Sequence, residues 1–334
     1  MRWLTGAIGR RARLVVGVKR DETGAVAIVL AVIMVALIGA TALTLDVGAL
    51  YAERQQLQNG ADAAALAIAE DCAKGACSPL SNTATANTFA NSNANDGAAG
   101  VNSITFPTPG VVQVTTKTRA SSGNGGLLAL SFAPVLGIPN RAVTATAKAA
   151  WGGPASGPAV LPLAFAPCNF LLNGPIQVLS MHGDSGGTPC SSVSPSGQLL
   201  PGGFGWLADP GRTCSAQVDV ANNAPISGRT GISWPSECDS ALNFIANKTV
   251  LLPIYSDLGG NGNGSWYVIK GWAAFTLLGW NFPGNRYNNN TYAGAKCSGT
   301  CKGIIGKFVG FVTLDDRFTR GGPNLGAAVV TLTQ

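Results

Sequence analysis

The sequence predicts an α+β chain: a long N-terminal transmembrane helix, then a small α/β unit, then a mostly antiparallel β ectodomain. Three observations carry this. Residues 25–45, AVAIVLAVIMVALIGATALTL, hold no charge; at about 1.5 Å per residue they span roughly 30 Å, the hydrocarbon thickness of a bilayer. An apolar rhythm of helical period continues beyond them. After residue 110, short runs rich in Val, Thr, Ile and aromatics alternate with Gly/Asn/Pro turns, the mark of strands.

The charge distribution orients the chain. Of 334 residues only 11% are charged, and the net charge is +6. Arg2, Arg10, Arg11, Arg13, Lys19 and Arg20 fall within the first twenty residues; without them the chain carries 16 charges of each sign. The pI therefore reports an arm and not a basic face, so no nucleic-acid partner is expected. The positive-inside rule makes 1–24 a cytoplasmic arm and places everything after Asp46 on the extracytoplasmic face of the cytoplasmic membrane. The lipid bilayer is the first partner. Ala40-Thr41-Ala42 also has the small-x-small form of a signal-peptidase site, but the apolar run continues past it into helix, so a retained single-pass anchor is expected.

The helix is expected to extend over 46–77. Leu43, Val47, Leu50, Leu57, Ala61, Ala64 and Ile68 recur at alternating steps of four and three, broken at Arg54, with Gln55, Asn59 and Asp62 on the other side. Such a seam packs either on the chain's own ectodomain or on neighbouring copies or other helices of the same kind. Gly60 weakens the expectation of an unbroken helix, since glycine costs about 1 kcal/mol in a helix interior.

Residues 78–151 are expected to form the small α/β unit. Within it, 78–110 is rich in Asn, Ser, Thr, Ala and Gly and reads as a loosely ordered connection or frayed helix. Strands are expected at 111–118 and 142–151, with a short helix in LLALSFAPVLG ending at Pro134. Gly152-Gly153-Pro154-Ala155-Ser156-Gly157-Pro158 reads as a linker. Residues 159–334 are expected to form a disulfide-bonded β domain, sandwich or irregular barrel, with strands at 159–164, 176–179, 249–255, 266–278, 307–314 and 327–332. GGNGNG at 259–264 reads as a hairpin loop.

Eight cysteines, Cys72, Cys77, Cys168, Cys190, Cys214, Cys238, Cys297 and Cys301, all follow the anchor. Outside a membrane an even number is read most simply as disulfides. Zinc is the rival, but no CxxC occurs and His182 is the single histidine, so no metal and no cofactor is expected. Loop closure favours neighbour pairing (72–77, 168–190, 214–238 and 297–301), with crossed pairs or free thiols as the alternative.

No catalytic constellation is found. Gly183-Asp184-Ser185-Gly186-Gly187 has the form of a trypsin-like nucleophile motif, but a serine needs a base, and His182 stands three residues away without an orienting carboxylate. Asp209, Asp315 and Asp316 read as isolated, solvated turn carboxylates. The seven tryptophans could line a glycan groove, yet scattered as they are they read as packing. An adhesin or carbohydrate-binding module on the same anchor is the alternative function.

Residues 20–69 carry a resemblance. The basic flank before Glu22-Thr23-Gly24, the apolar span, Asp46 directly after it, Tyr51, the run Leu57-Gln58-Asn59 and the run Ala61-Asp62-Ala63-Ala64-Ala65-Leu66 together resemble the N-terminal region of TadE/TadG-like Flp (tight adherence) pilus-assembly proteins; 132–154 weakly resembles the end of the same unit. The resemblance implies a non-enzymatic, membrane-anchored structural component of Flp/Tad (type IV-like) pilus assembly, partnered through its N-terminal helix by other pilin-like or Tad assembly proteins. Processed prepilins of this kind carry a glutamate five residues after the glycine. Val29 stands there, so the anchor is expected to remain uncleaved.

Overall fold

A computed structural model describes residues 23–119, 128–137, 140–182, 190–229, 234–261 and 264–333. The basic arm and the GDSGG string lie outside the described residues. The architecture is a long apolar N-terminal helix, a short second helix, and then mixed but mostly antiparallel sheets. The chain divides into two compact units, one of residues 1–51 with 129–141, the other of 52–128 with 142–334.

In the first unit, helix α1 begins at Thr23 and continues to Ala73, so its later turns belong to the second unit. The short helix expected to end at Pro134 instead begins beside it. Ala133–Leu136 is a single 3-10 turn with Pro134 in its first turn, closed by Gly137 at φ 78°. Proline is tolerated where an N–H would be unsatisfied anyway and breaks helix beyond that point, which is why the turn starts there.

In the second unit, the Asn/Thr/Ala stretch expected to be a loose connection or a frayed helix begins with helix α2, Pro79–Ser92. Its start is locally encoded: the Ser78 side chain accepts a hydrogen bond from the Ser81 N–H, and Pro79 occupies the first turn. An unforeseen strand, Ala99–Thr105, follows and pairs with Val111–Thr118, which pairs in turn with Thr144–Pro154. The cross-strand partners Val112–Ala149, Val114–Ala147 and Thr116–Ala145 all place their buried members on one face. Alanines there let a helix approach closely.

The last strand, Ala327–Thr333, returns to this same sheet, antiparallel to Thr144–Pro154. Phe311–Thr313 adds to it in parallel, and Arg320–Gly322 pairs with the far end of Thr144–Pro154. The Gly152–Pro158 stretch, read from sequence as a linker, is therefore strand: Thr144–Pro154 runs to its middle and Ser156–Ala159 completes it. Sheet pairing supplies backbone partners that a glycine- and proline-rich segment does not advertise.

A second sheet is built on the 17-residue strand Trp266–Phe282. It forms a hairpin with Thr249–Gly259, pairs on its other edge with Gly303–Val309, and the sheet ends at Gln177–Ser180. The hairpin expected around GGNGNG is present, with residues 262–263 outside the described set. Period-two alternation sends Ala273, Phe275 and Leu277 into one core cluster and Trp272 and Ala274 into another, so the sheet is covered on both faces. Among the described residues no barrel closes. The strand expected over 159–164 is two, Ser156–Ala159 and Leu163–Phe165, and the one over 307–314 is also two, Gly303–Val309 and Phe311–Thr313.

Candidate functional site: the anchor helix

The first part of α1 is apolar on every side and open on every side. Val26, Ile28, Val29, Leu30, Val32, Met34, Val35, Leu37 and Ile38 are all exposed, and none of the most apolar eighteen-residue stretch is buried. A helix hydrophobic all round is stable either inside a protein or inside a bilayer. This one is not inside the protein, and it is the one helix among the described residues long and apolar enough to cross a membrane.

The seven seam residues fall into two groups. Leu57, Ala61, Ala64 and Ile68 are buried at 1% exposure or less. Three of them, Ala61, Ala64 and Ile68, pack with Val112, Val114, Ala147, Ala149 and Val330 of the first sheet. Leu43 and Val47 remain 62% and 55% exposed, and Leu50 is half-buried. Arg54, the break in the seam, is exposed, as are Gln55 and Asn59 on the opposite side. The later helix is also fixed by polar contacts. The Thr116 hydroxyl donates to the Leu57 carbonyl at 2.8 Å, and Gln58 donates to Asp62 at 2.9 Å.

Gly60, which argued against continuity, is where the two helices meet. A Cβ there would lie 3.0 Å from the Ala90 Cα of α2, so the missing side chain admits the neighbouring backbone. Glu53 is nearly buried beside Thr118 and Asp96; burial pushes its carboxyl above the usual range, against the lowering effect of the Thr118 hydrogen bond.

Asp46 is 5% exposed. Its carboxylate accepts the backbone N–H groups of Ser131, Phe132 and Ala133 at 2.8, 3.0 and 2.5 Å. These are the donors left unsatisfied at the start of the 3-10 turn, so one carboxylate ties that turn to α1.

All eight cysteines are paired: Cys72–Cys77, Cys168–Cys190, Cys214–Cys238 and Cys297–Cys301. The first joins the end of α1 to the start of α2. No cluster of three or more metal-ligating side chains occurs among the described residues.

His182, Asp209 and Asp315, singled out in the sequence, have structural partners. His182 places Nδ1 2.6 Å from the Gly202 carbonyl, which assigns the ring proton to that nitrogen. It stacks on Tyr267 and meets Tyr255 edge-on, and burial lowers its pKa. Asp209, expected on a solvated turn, is 9% exposed and accepts the N–H groups of Thr213 and Cys214, holding the latter at φ 55°. Asp315 does lie in a turn and pairs with Arg317, whose hydrogen bonds hold the carboxyl below its usual range. Trp206, Trp272 and Trp280 are buried in the cores and present no aromatic groove.

Comparison with known families bears on this same helix. Residues 24–70 match the Tad family model, described as Flp pilus-assembly TadE/G-like. The match takes in the exposed apolar span, Asp46, Gly60 and every seam residue, and it ends at Glu70, within α1. No curated protein and no solved structure matches the chain.

Proposed function

We propose that this chain is a membrane-anchored structural component of Flp/Tad pilus assembly, with its N-terminus in the cytoplasm and its β domain on the extracytoplasmic face. The observation that carries this reading is the coincidence of the Tad match with a helix whose first half is apolar and uncovered. A pilus-assembly family supports a structural and not a catalytic role. Retention of the anchor is supported by α1 itself, which runs through Ala40-Thr41-Ala42 without a break; a peptidase needs that bond extended.

Partner contacts through the helix are divided by burial. Ala61, Ala64 and Ile68 are already covered by the chain's own sheet and Leu57 is buried, so Leu43 and Val47 are the seam residues left for neighbouring pilin-like helices. The adhesin alternative draws no support from Trp206, Trp272 and Trp280, which are buried in the cores.

Site-specific photocrosslinking in cells carrying the whole pilus apparatus tests the division. A benzophenone side chain at Val47 is expected to yield adducts with another pilin-like or Tad protein, and one at Ala64 none. Adducts absent at Val47 and at Leu43 alike contradict a partner role for this face.

A further inference from the structure

The loop that Asp46 captures has no role in the reading above. From Arg119 to Arg141 the sequence holds no charge, and the described part, 128–137, reads LALSFAPVLG. Leu130 is buried at 8% exposure, but Phe132 and Val135 are 41% and 87% exposed. Two bulky apolar side chains facing water on so short a loop are costly in a soluble setting, because each forgoes the gain of burial.

Position along α1 resolves this. The three N–H groups held by Asp46 fix residues 131–133 at the level of the residue that directly follows the uncharged span. Cover extends further back. Among residues 26–45, Ala42 alone is partly covered, whereas Ala27, Ala31, Ala36 and Ala40 are exposed. Ala42 is one turn before Asp46 on the same face, about 6 Å closer to the bilayer centre, and Leu50, one turn after, is half-buried on that face too. The loop thus overlaps the last turn of the membrane span, a depth typical of interfacial segments, which lie about 5–10 Å into the headgroup and acyl boundary. Arg141, exposed at its far end, supplies a cation where lipid phosphates lie.

We infer that the loop 130–137 is a second, monotopic membrane contact: it dips Phe132 and Val135 into the outer-leaflet interface and is held at that depth by the Asp46 carboxylate. Together with α1 it gives the anchor two points in one bilayer, which fixes the rotation of the helix about its axis. A single helix leaves that angle free. The occupant is lipid and not a protein, because Asp46, whose carboxylate accepts the Phe132 N–H, directly follows the uncharged span, whose last residue, Leu45, is itself uncovered. The inference rests on the anchor being retained in a bilayer, and the test below checks that separately.

The experiment uses the full chain in liposomes of phosphatidylethanolamine and phosphatidylglycerol. Since every native cysteine is paired, Val135→Cys introduces the one thiol that a nitroxide reagent labels under non-reducing conditions. Oxygen and a water-soluble nickel chelate then report depth. The Val135 label is expected to favour oxygen over nickel, as a label at Leu37→Cys does, and opposite to one at exposed Asn222→Cys. Adding Asp46→Ala is expected to move the Val135 ratio towards the Asn222 value while leaving Leu37 unchanged.

A Val135 ratio equal to that of Asn222 in the otherwise native chain overturns the inference. So does a label closed to both reagents, which would mean a protein cover. An unchanged Val135 ratio in the Asp46→Ala chain overturns the tether. Nickel access at Leu37 would instead remove the anchor itself, and the inference with it.

Discussion

Ile68→Ala tests whether the later half of α1 is held by its own sheet. Ile68 has 0% exposure and stands in a cluster otherwise made largely of alanine and valine. The substitution removes three carbons, worth about 2.4 kcal/mol at about 0.8 kcal/mol per buried methylene. A cavity term adds to this, because Ala61, Ala64, Ala147 and Ala149 have no side chain that can swing into the gap. The expected loss is therefore about 3–4 kcal/mol, within the range of about 2–5 kcal/mol for Ile→Ala in cores. Urea titration of the full chain in detergent micelles, followed by tryptophan fluorescence, reads it, since Trp151 packs at the edge of the same cluster. Val29→Ala, at a 57% exposed site, is the control and is expected to change stability by less than about 0.5 kcal/mol. A loss below about 1 kcal/mol for Ile68→Ala would refute the packing and return the whole seam to partner contact.

Two further outcomes follow from the same geometry. The raised carboxyl of Glu53 binds its proton more tightly folded than unfolded, so it favours the native state below its ordinary value of 4.5 and loses that advantage as pH rises through the folded value; Glu53→Gln is expected to raise the urea midpoint at pH 8 and leave it nearly unchanged near pH 4, and equal midpoints at pH 8 would contradict the shift. Replacing Cys214 and Cys238 together by alanine opens a loop with a sequence separation of 24 and is expected to cost about 3.5 kcal/mol, against about 2 kcal/mol for the Cys72–Cys77 pair with its separation of 5; non-reducing peptide mapping checks the pairing, and a fragment joining Cys168 or Cys190 to Cys214 or Cys238 would contradict it.

Much of the anchor was legible in the sequence because its signals are local. An uncharged run, a basic flank and a period between three and four each sit within a few dozen consecutive residues. The strand at Val111–Thr118 was equally plain, since alternating valine and threonine needs no partner to be recognised. What sequence could not decide is which surface covers a seam. Leu43 and Ile68 belong to one periodic pattern, yet one faces outward and the other lies under Val112 and Val330, the latter more than two hundred residues away. The return of Ala327–Thr333 to the first sheet is long-range pairing of the same kind.

Other misreadings have local causes. The poor helix formers of α2 leave loose connection and frayed helix equally open, although Ser78-Pro79 marks a helix start. Gly60 was read through propensity alone, whereas its role is to admit Ala90. The Asp46 contact had one visible sign, a lone acid placed directly after an apolar span. Its partners lie some eighty-five residues further on, beyond the reach of any pattern.

The central claim, that this chain builds pili from a membrane anchor, is tested most directly by counting surface pili under the electron microscope in a strain lacking the gene and in the same strain complemented with the full chain. The account predicts no pili in the first and restored pili in the second. A normal pilus count in the deletion strain, accompanied by weakened surface binding, would contradict it and favour an adhesin.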